Sequence, residues 1–136
     1  METDTDITHA LHRGLDGYVR AVARAMSIAD ESTSFEISDT VTAYVGLSKR
    51  WPSRPGQDLM LVWDGRSGWS IAVETGPAER TVVLAEFPGD VVPDPRVVSR
   101  WVSETLSGHG GTVPLQRRAK PADRRALADR LASYTG

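Results

Sequence analysis

The segment from Asp58 to Thr75, DLMLVWDGRSGWSIAVET, limits the fold of this chain more than any other stretch. Large apolar residues recur at every second position on both sides of DGRSG, which is typical of a β-hairpin. A three-residue loop with Gly68 in the left-handed conformation would place Trp63 opposite Ile71. One face then carries a continuous apolar row, made of Leu59, Leu61, Trp63, Trp69, Ile71 and Val73. We therefore predict that both tryptophans are core residues and that Trp69, nearer the turn, keeps an exposed edge.

The pattern around this hairpin predicts an α+β fold. Four extended runs, at residues 40–47, 58–64, 69–75 and 80–87, follow one another closely, as in an antiparallel meander. Before them, residues 8–27 carry an apolar stripe of helical spacing, made of Leu11, Leu15, Tyr18, Val22 and Met26. We expect the polar segment ADESTSFEISD between this helix and the first run to be a surface connection.

Two more helices are predicted after the sheet. Asp94 is a plausible N-cap with Pro95 at the first helical position. The second helix would pack on the tryptophan face through an apolar stripe of Val97, Val98, Trp101, Val102 and Leu106. A short C-terminal helix follows in KPADRRALADRLASY. In the first helix, Gly14 and Gly17 either fray its early turns or admit a close approach by another backbone.

Length and composition limit the class of protein. A chain of 136 residues is expected to form a single domain, with a core at about 8–107 and a glycine-rich loop and basic tail helix at 108–136. The absence of cysteine excludes disulfides, thiolate chemistry and cysteine-ligated metal sites. The acidic start METDTDITHA and the lack of a long apolar run predict a cytoplasmic location.

The face of the sheet opposite the tryptophans is less polar than a solvated face should be. Tyr44, Met60, Val62 and Ala72 point to that side, together with either Val82 and Leu84 or their neighbours. The tail helix, a second copy of the chain or a different protein could cover them. We therefore take Tyr44, Met60 and Val62 as candidate partner-binding residues, with a homodimer as one form of the interaction.

No motif in the chain predicts catalysis, a metal site or a cofactor. The segment around Ser67 lacks the glycine and the strand-to-helix turn of a hydrolase serine, and GHGGT follows a helix end where amides are not free. His9 and His12 lack a third metal ligand nearby in sequence. Glu74 lacks a second acid or histidine assigned opposite it. A ligand pocket between Trp69, Glu74 and the first helix is the one enzyme-like alternative.

Two basic segments are candidate binding surfaces. In LSKRWPSRPGQD, the connection between the first two strands, Arg50 and Arg54 flank Trp51, which suits partner binding or stacking on a nucleobase. The last 29 residues have a net charge of +4, with six bases against two acids, whereas residues 1–40 have −5. The tail residues that could contact nucleic acid are Arg117, Arg118, Lys120, Arg124 and Arg125.

Several motifs together resemble a family of small actinobacterial proteins known only as a domain of unknown function. They are GLDGYVRAVARAM, VTAYVGL, the W-D-G-x-x-G-W hairpin and the G-D-V-V-P-x-P entry into the second helix, within residues 14–107. The resemblance implies an intracellular actinobacterial setting and no activity, ligand or catalytic residue.

These observations favour a non-enzymatic accessory or regulatory protein that acts through protein–protein interaction, in one form as a homodimer. The alternative is a regulatory protein that binds nucleic acid through the Trp51 loop and the basic tail.

Overall fold

A computed structural model describes residues 4–51, 54–73, 82–107 and 123–134 of the chain, and for residues 4, 48–51, 54–57 and 82 it describes the backbone alone. The helices are α1 (Asp4–Ala25), α2 (Pro95–Leu106) and α3 (Arg124–Leu131). The strands are β1 (Thr33–Ile37), β2 (Val41–Trp51), β3 (Arg54–Asp64), β4 (Gly68–Val73) and β5 (Val82–Glu86). Short 3-10 turns lie at Asp30–Ser32 and Ala132–Tyr134. The predicted α+β class is confirmed.

The sheet has five antiparallel strands in the order β1-β2-β3-β4-β5, so the prediction of four strands is wrong. The missed strand, β1, lies within the segment that we predicted to be a surface connection. It is a short edge strand in which Thr33, Phe35 and Ile37 are half-buried and Ser34 and Glu36 are exposed. Only two large apolar residues mark this alternation, and they are surrounded by polar residues that also suit a loop.

The β3–β4 hairpin has the predicted loop length but a different register. Asp64 pairs with Gly68 across a three-residue loop, and Gly68 has the expected left-handed conformation with φ of 85°. Trp63 therefore lies opposite Trp69 and not opposite Ile71. The predicted pairing is wrong by two residues because Gly68 belongs to the first pair of the ladder. An even shift leaves every side chain on its face, so the predicted apolar row is confirmed.

The helices bury their apolar residues against one face of the sheet, which we call the inner face. The predicted stripe is confirmed, because Leu11, Leu15, Tyr18 and Val22 of α1 are buried and Met26, in the turn just after α1, is partly buried. The α2 helix begins as predicted, because the Asp94 side chain accepts a hydrogen bond from the Arg96 amide at 2.9 Å. Its Val98 and Val102 join the same core, as expected for a helix on the tryptophan face. Val97 is 42% exposed and was wrongly placed in that stripe.

The C-terminal helix packs on α1, on the inner side of the sheet. A Cβ atom added at Gly14 would lie 2.8 Å from Leu131 Cβ, and one added at Gly17 would collide with the Tyr134 carbonyl oxygen. The two glycines therefore let the backbone of α3 and of the 3-10 turn after it approach α1 closely, which was one of the two roles predicted for them. Leu127 and Leu131 join the inner core. The suggestion that this helix covers the opposite sheet face is accordingly wrong.

Candidate functional site

The second face of the sheet, which we call the outer face, has no helix packed on it within the described residues. Along each strand every second side chain is buried against the helices, and the residues between them face the outer side. One cross-strand row contains Ser34, Tyr44, Val62, Ser70 and Glu86. The next row contains Gly46, Met60, Ala72 and Val83.

These rows bring together the predicted partner-binding residues Tyr44, Met60 and Val62. Tyr44 is 37% exposed, and Met60 and Val62 are half-buried. With Val83 they form what we call the apolar patch, whereas Ala72, between them on β4, is fully buried. Exposed apolar surface that is contiguous across several strands is typical of an interface.

A β-bulge decides which β5 residue joins the apolar patch. Ala72 pairs with Val83 and Ile71 pairs with Ala85, so Leu84 is the extra residue between two ladder pairs. The prediction left Val82 with Leu84, or their neighbours, as the outward pair. The structure selects the neighbour Val83, which is 50% exposed. A bulge that inverts the alternation of a strand is not visible in a pattern of consecutive valines.

The two tryptophans belong to the inner core. Trp63 is 0% exposed and Trp69 is 1% exposed, so the core prediction is confirmed and the exposed edge of Trp69 is wrong. The Trp69 indole N–H donates to the Tyr18 hydroxyl at 3.0 Å, and that hydroxyl donates to the Pro93 carbonyl at 2.6 Å. The Trp63 indole N–H donates to the Val91 carbonyl at 2.7 Å. Tyr18 projects from α1 onto Trp69, and the two rings lie with their centroids 6.0 Å apart.

This buried network has a structural role. It attaches the segment before α2 to the hairpin, and it satisfies each buried indole N–H, which would otherwise cost about 1–3 kcal/mol. Burial raises the pKa of the Tyr18 phenol well above its ordinary value, and the hydrogen bond from Trp69 opposes that rise. Tyr18 is therefore neutral and can donate to Pro93 throughout the physiological pH range. The position proposed for a ligand pocket beside Trp69 is filled, and Glu74 lies outside the described residues.

A second link ties the same segment to the C-terminal helix. The Arg130 guanidinium donates to the Asp90 carboxylate, with an Nη1–Oδ1 distance of 3.2 Å, and to the Val92 carbonyl at 3.2 Å. The hydrogen bond from Arg130 lowers the pKa of Asp90 below its usual range. Arg124 donates to the Ser38 carbonyl at the β1–β2 turn, and the Arg125 amide donates to the capping Asp123 carboxylate at 3.1 Å. The guanidinium groups of Arg124 and Arg130 thus contact their own chain.

The remaining predicted basic residues lie partly outside the described residues. Arg117, Arg118 and Lys120 lie outside the described residues. For Arg50, Trp51 and Arg54 the backbone is described but the side chains are not. The backbone corrects one prediction, because Trp51 pairs with Arg54 and most of the supposed loop belongs to β2 and β3. Register shifts beside Arg50 accompany the prolines of this segment, which cannot complete a regular ladder.

A cavity of about 640 Å³ lies between the end of α1 and the side of α2. Its walls combine apolar side chains with serine hydroxyls, from Met26, Ile28, Leu47, Val102, Ser27, Ser32, Ser99 and Ser103. Beside the cavity, Ser27 has a left-handed backbone conformation with φ of 59°. The Ser27 amide donates to the Arg24 carbonyl at 3.0 Å and the Ile28 amide donates to the Ala23 carbonyl at 2.8 Å, which ends α1. None of the lining residues is ionisable, so the described walls carry no acid or base for catalysis.

The two histidines lie apart from other metal ligands. His9 and His12 are exposed on α1, and the His12 ring contacts Phe35 edge-on at 4.8 Å. Among the described residues no group of three or more histidines and carboxylates is placed to hold a metal ion. Within the same residues, none of the helices combines the length and apolar character needed to span a membrane.

Comparison with known proteins identifies one relationship. The model of a family of unknown function (DUF6292) matches residues 18–104. No curated protein and no solved structure matches the chain. The matched range begins at Tyr18 and contains the whole sheet, the buried indole network and most of α2.

Proposed function

The chain belongs to this family of unknown function, and we propose that it is a non-enzymatic accessory or regulatory protein that binds another protein through its outer face. The observation that supports this proposal is the asymmetry of the sheet. Its inner face packs against the helices, whereas the apolar patch on its outer face includes Tyr44 and Val83 at 37% and 50% exposure. An actinobacterial source and a cytoplasmic location stay predictions from sequence.

The apolar patch has the character of an interface core. A tyrosine, a methionine and two valines share it, and aromatic residues and methionine are enriched where proteins bind one another. The tyrosine gives a large contact area at a low cost in side-chain entropy, since it has only two side-chain torsions. A second copy of the chain is one partner that this patch could accept, and a different protein is the other.

The shifted pKa values of the described residues support a role other than catalysis. Tyr18 is buried and donates to a backbone carbonyl, and Asp90 and Arg130 neutralise each other. Burial also raises the pKa of Tyr134, which packs on Tyr18 with ring centroids 4.8 Å apart. Each of these groups stabilises the packing of the helices on the sheet.

Nucleic-acid binding is the alternative function, and its support is the composition of the Trp51 segment and the tail. It predicts an affinity for single-stranded DNA that falls steeply as salt is added. The outer face does not favour it, because Glu36 and Glu86 on that face would repel phosphates.

Site-specific photo-crosslinking in the cells of the source organism tests the proposed function. A photoreactive residue replaces Tyr44 or Val83 on the outer face, and in the control it replaces the exposed Arg100 on α2. We expect a discrete crosslinked product from positions 44 and 83 and none from position 100. A product of twice the chain mass identifies a homodimer, and another mass identifies a different partner. The absence of any product from positions 44 and 83 would contradict the proposal.

A further inference from the structure

Four carboxylates lie on the outer face of the sheet. The antiparallel registers place Glu36, Asp58, Asp64 and Glu86 on that face with the apolar patch. Asp64 and Asp58 lie on β3 on either side of Met60 and Val62, while Glu36 and Glu86 lie on the two edge strands. We call these four residues the acidic rim, because they surround the patch on four sides.

Two carboxylates of the acidic rim have a base of the same chain beside them, since Asp58 pairs with Arg50 in the β2–β3 ladder. Arg66, in the hairpin loop, contacts the Asp64 carboxylate with an Nε–Oδ1 distance of 3.4 Å. The side chains of Glu36 and Glu86 have neither a hydrogen bond nor an ion pair to any described residue. Two uncompensated carboxylates therefore lie at opposite edges of the patch. Their negative potential favours a partner that carries positive charge on both sides of an apolar contact.

The spacing of the strands fits a helix between these carboxylates. Four interstrand gaps separate β1 from β5, which corresponds to about 19 Å across the sheet. An α-helix with its side chains is about 10–12 Å wide. A helix that lies on the patch would thus reach both Glu36 and Glu86 with long side chains on its two flanks. Lysine and arginine can extend from the flanks of a helix while their stems cover apolar surface.

A second copy of the chain fits this face less well than such a helix. If two outer faces met, the apolar patches could pack, but Glu36 and Glu86 of the two copies, unpaired among the described residues, would be brought to the same interface. Like charges placed together at an interface disfavour a wrong partner. The charge pattern therefore separates the two partners that the apolar patch alone leaves open.

We propose that the outer face binds an amphipathic helix of another protein, whose apolar stripe covers the patch and whose flanking lysines or arginines contact the acidic rim. This inference depends on the proposed function and specifies the class of partner. Recognition of an apolar helix face by a complementary surface is a recurrent mode of peptide binding.

Three synthetic peptides of about 18 residues, long enough to form a helix when bound, provide the test. Each has the same leucine stripe, and the flanking positions are all lysine, all glutamine or all glutamate. Binding of the labelled peptides to the full chain is measured by fluorescence anisotropy at several salt concentrations. We expect the leucine–lysine peptide to bind most tightly, to weaken as salt is added, and to outcompete the glutamine peptide by at least about tenfold.

Charge-reversal variants locate the binding site. The double variant Glu36→Lys/Glu86→Lys should weaken the leucine–lysine peptide by at least about tenfold, because two attractions become repulsions. The matched control Glu31→Lys/Glu104→Lys makes the same change in net charge at exposed positions away from the outer face. It should alter the affinity by less than about threefold. Tyr44→Ser/Val83→Ser should also weaken binding, since it removes the apolar contact.

If Glu36→Lys/Glu86→Lys and its control Glu31→Lys/Glu104→Lys lose equal affinity for the leucine–lysine peptide, the inference is overturned, because the attraction would then follow net charge alone. Equal affinity for the lysine and glutamine peptides would overturn it as well. If positions 44 and 83 crosslink to a partner but the peptides show no charge preference, the proposed function stands and the acidic rim has no role. If neither crosslinking nor peptide binding is detected, both proposals fail.

Discussion

The inner and outer faces of the sheet are made by the same strands, yet their side chains have opposite environments. On β3, Leu61 and Trp63 are fully buried under the helices, whereas their neighbours Met60 and Val62 face outward and are half-buried. Every polar group of the buried aromatic network on the inner face has a partner within the chain, while the side chains of Glu36 and Glu86 on the outer face have none among the described residues. The comparison indicates that, among the described residues, the helices stabilise one face of the sheet and leave the other without a packed helix.

The largest expected difference between the faces comes from truncating neighbouring residues of β3. Trp63→Ala removes a fully buried indole and its hydrogen bond to Val91, and should lower the free energy of unfolding by about 3–5 kcal/mol. Met60→Ala, on the outer face, should lower it by less than about 1 kcal/mol. Chemical denaturation of both variants measures the two values. Similar losses would mean that the outer face is packed as tightly as the inner face.

Adding a single methyl group at a glycine compares the same two environments. Gly17→Ala places a Cβ against the Tyr134 carbonyl, where backbone must shift, and should cost about 1–3 kcal/mol. Gly46→Ala adds the methyl on the outer face, where the nearest atom is the Ser32 carbonyl oxygen at 3.8 Å, an ordinary contact. Its effect should be within about 0.5 kcal/mol. Thermal unfolding of the two variants gives the comparison. A Gly17→Ala variant as stable as the wild type would show that the 3-10 turn after α3 does not pack closely on α1.

The Tyr18 hydroxyl gives a smaller effect that depends on pH. Tyr18→Phe leaves the Trp69 indole N–H and the Pro93 carbonyl without their buried partner, which should cost about 1–3 kcal/mol. In the folded chain the pKa of Tyr18 lies above the unfolded value of about 10. The unfolded state therefore releases this proton first, and its contribution to stability is present below pH of about 10 and declines as pH rises further.

Unfolding curves of Tyr18→Phe, wild type and the exposed-site control Tyr44→Phe test this pH dependence. The Tyr18 variant should lose less stability than the wild type does between neutral pH and pH of about 11. The control should follow the wild type over that interval. Parallel curves for Tyr18→Phe and wild type would show that the Tyr18 phenol ionises with equal ease in the folded and unfolded chains.

Much of the inner face follows from local patterns. The helical spacing of Leu11 to Val22, the Asp94 cap and the alternation of β3 and β4 each predict an element and the side that it buries. These signals are strong because burial imposes a period of 3.6 or 2 on the sequence. The same period of 2 cannot detect the two-residue shift that places Trp63 opposite Trp69, since the shift moves no side chain to the other face.

The outer face was only partly predictable. Tyr44, Met60 and Val62 could be assigned to it from alternation alone, but Glu36 was missed because β1 was not recognised as a strand. Glu86 joins the rim through a bulge in β5, and its position relative to Glu36 depends on the register of five strands. Contacts such as Trp69 to Tyr18 are likewise set by how α1 packs on the inner face, which no local pattern specifies.

The division between a stabilising inner face and a binding outer face is tested most directly by one outer-face variant, Tyr44→Ser/Val83→Ser, with a photoreactive residue at Ser34 on the same face. Two quantities are measured, the free energy of unfolding and the yield of the crosslinked product in cells. The account predicts that unfolding changes by less than about 1 kcal/mol and that the crosslinked product obtained without the two substitutions disappears. A loss of several kcal/mol, or an undiminished product, would contradict it.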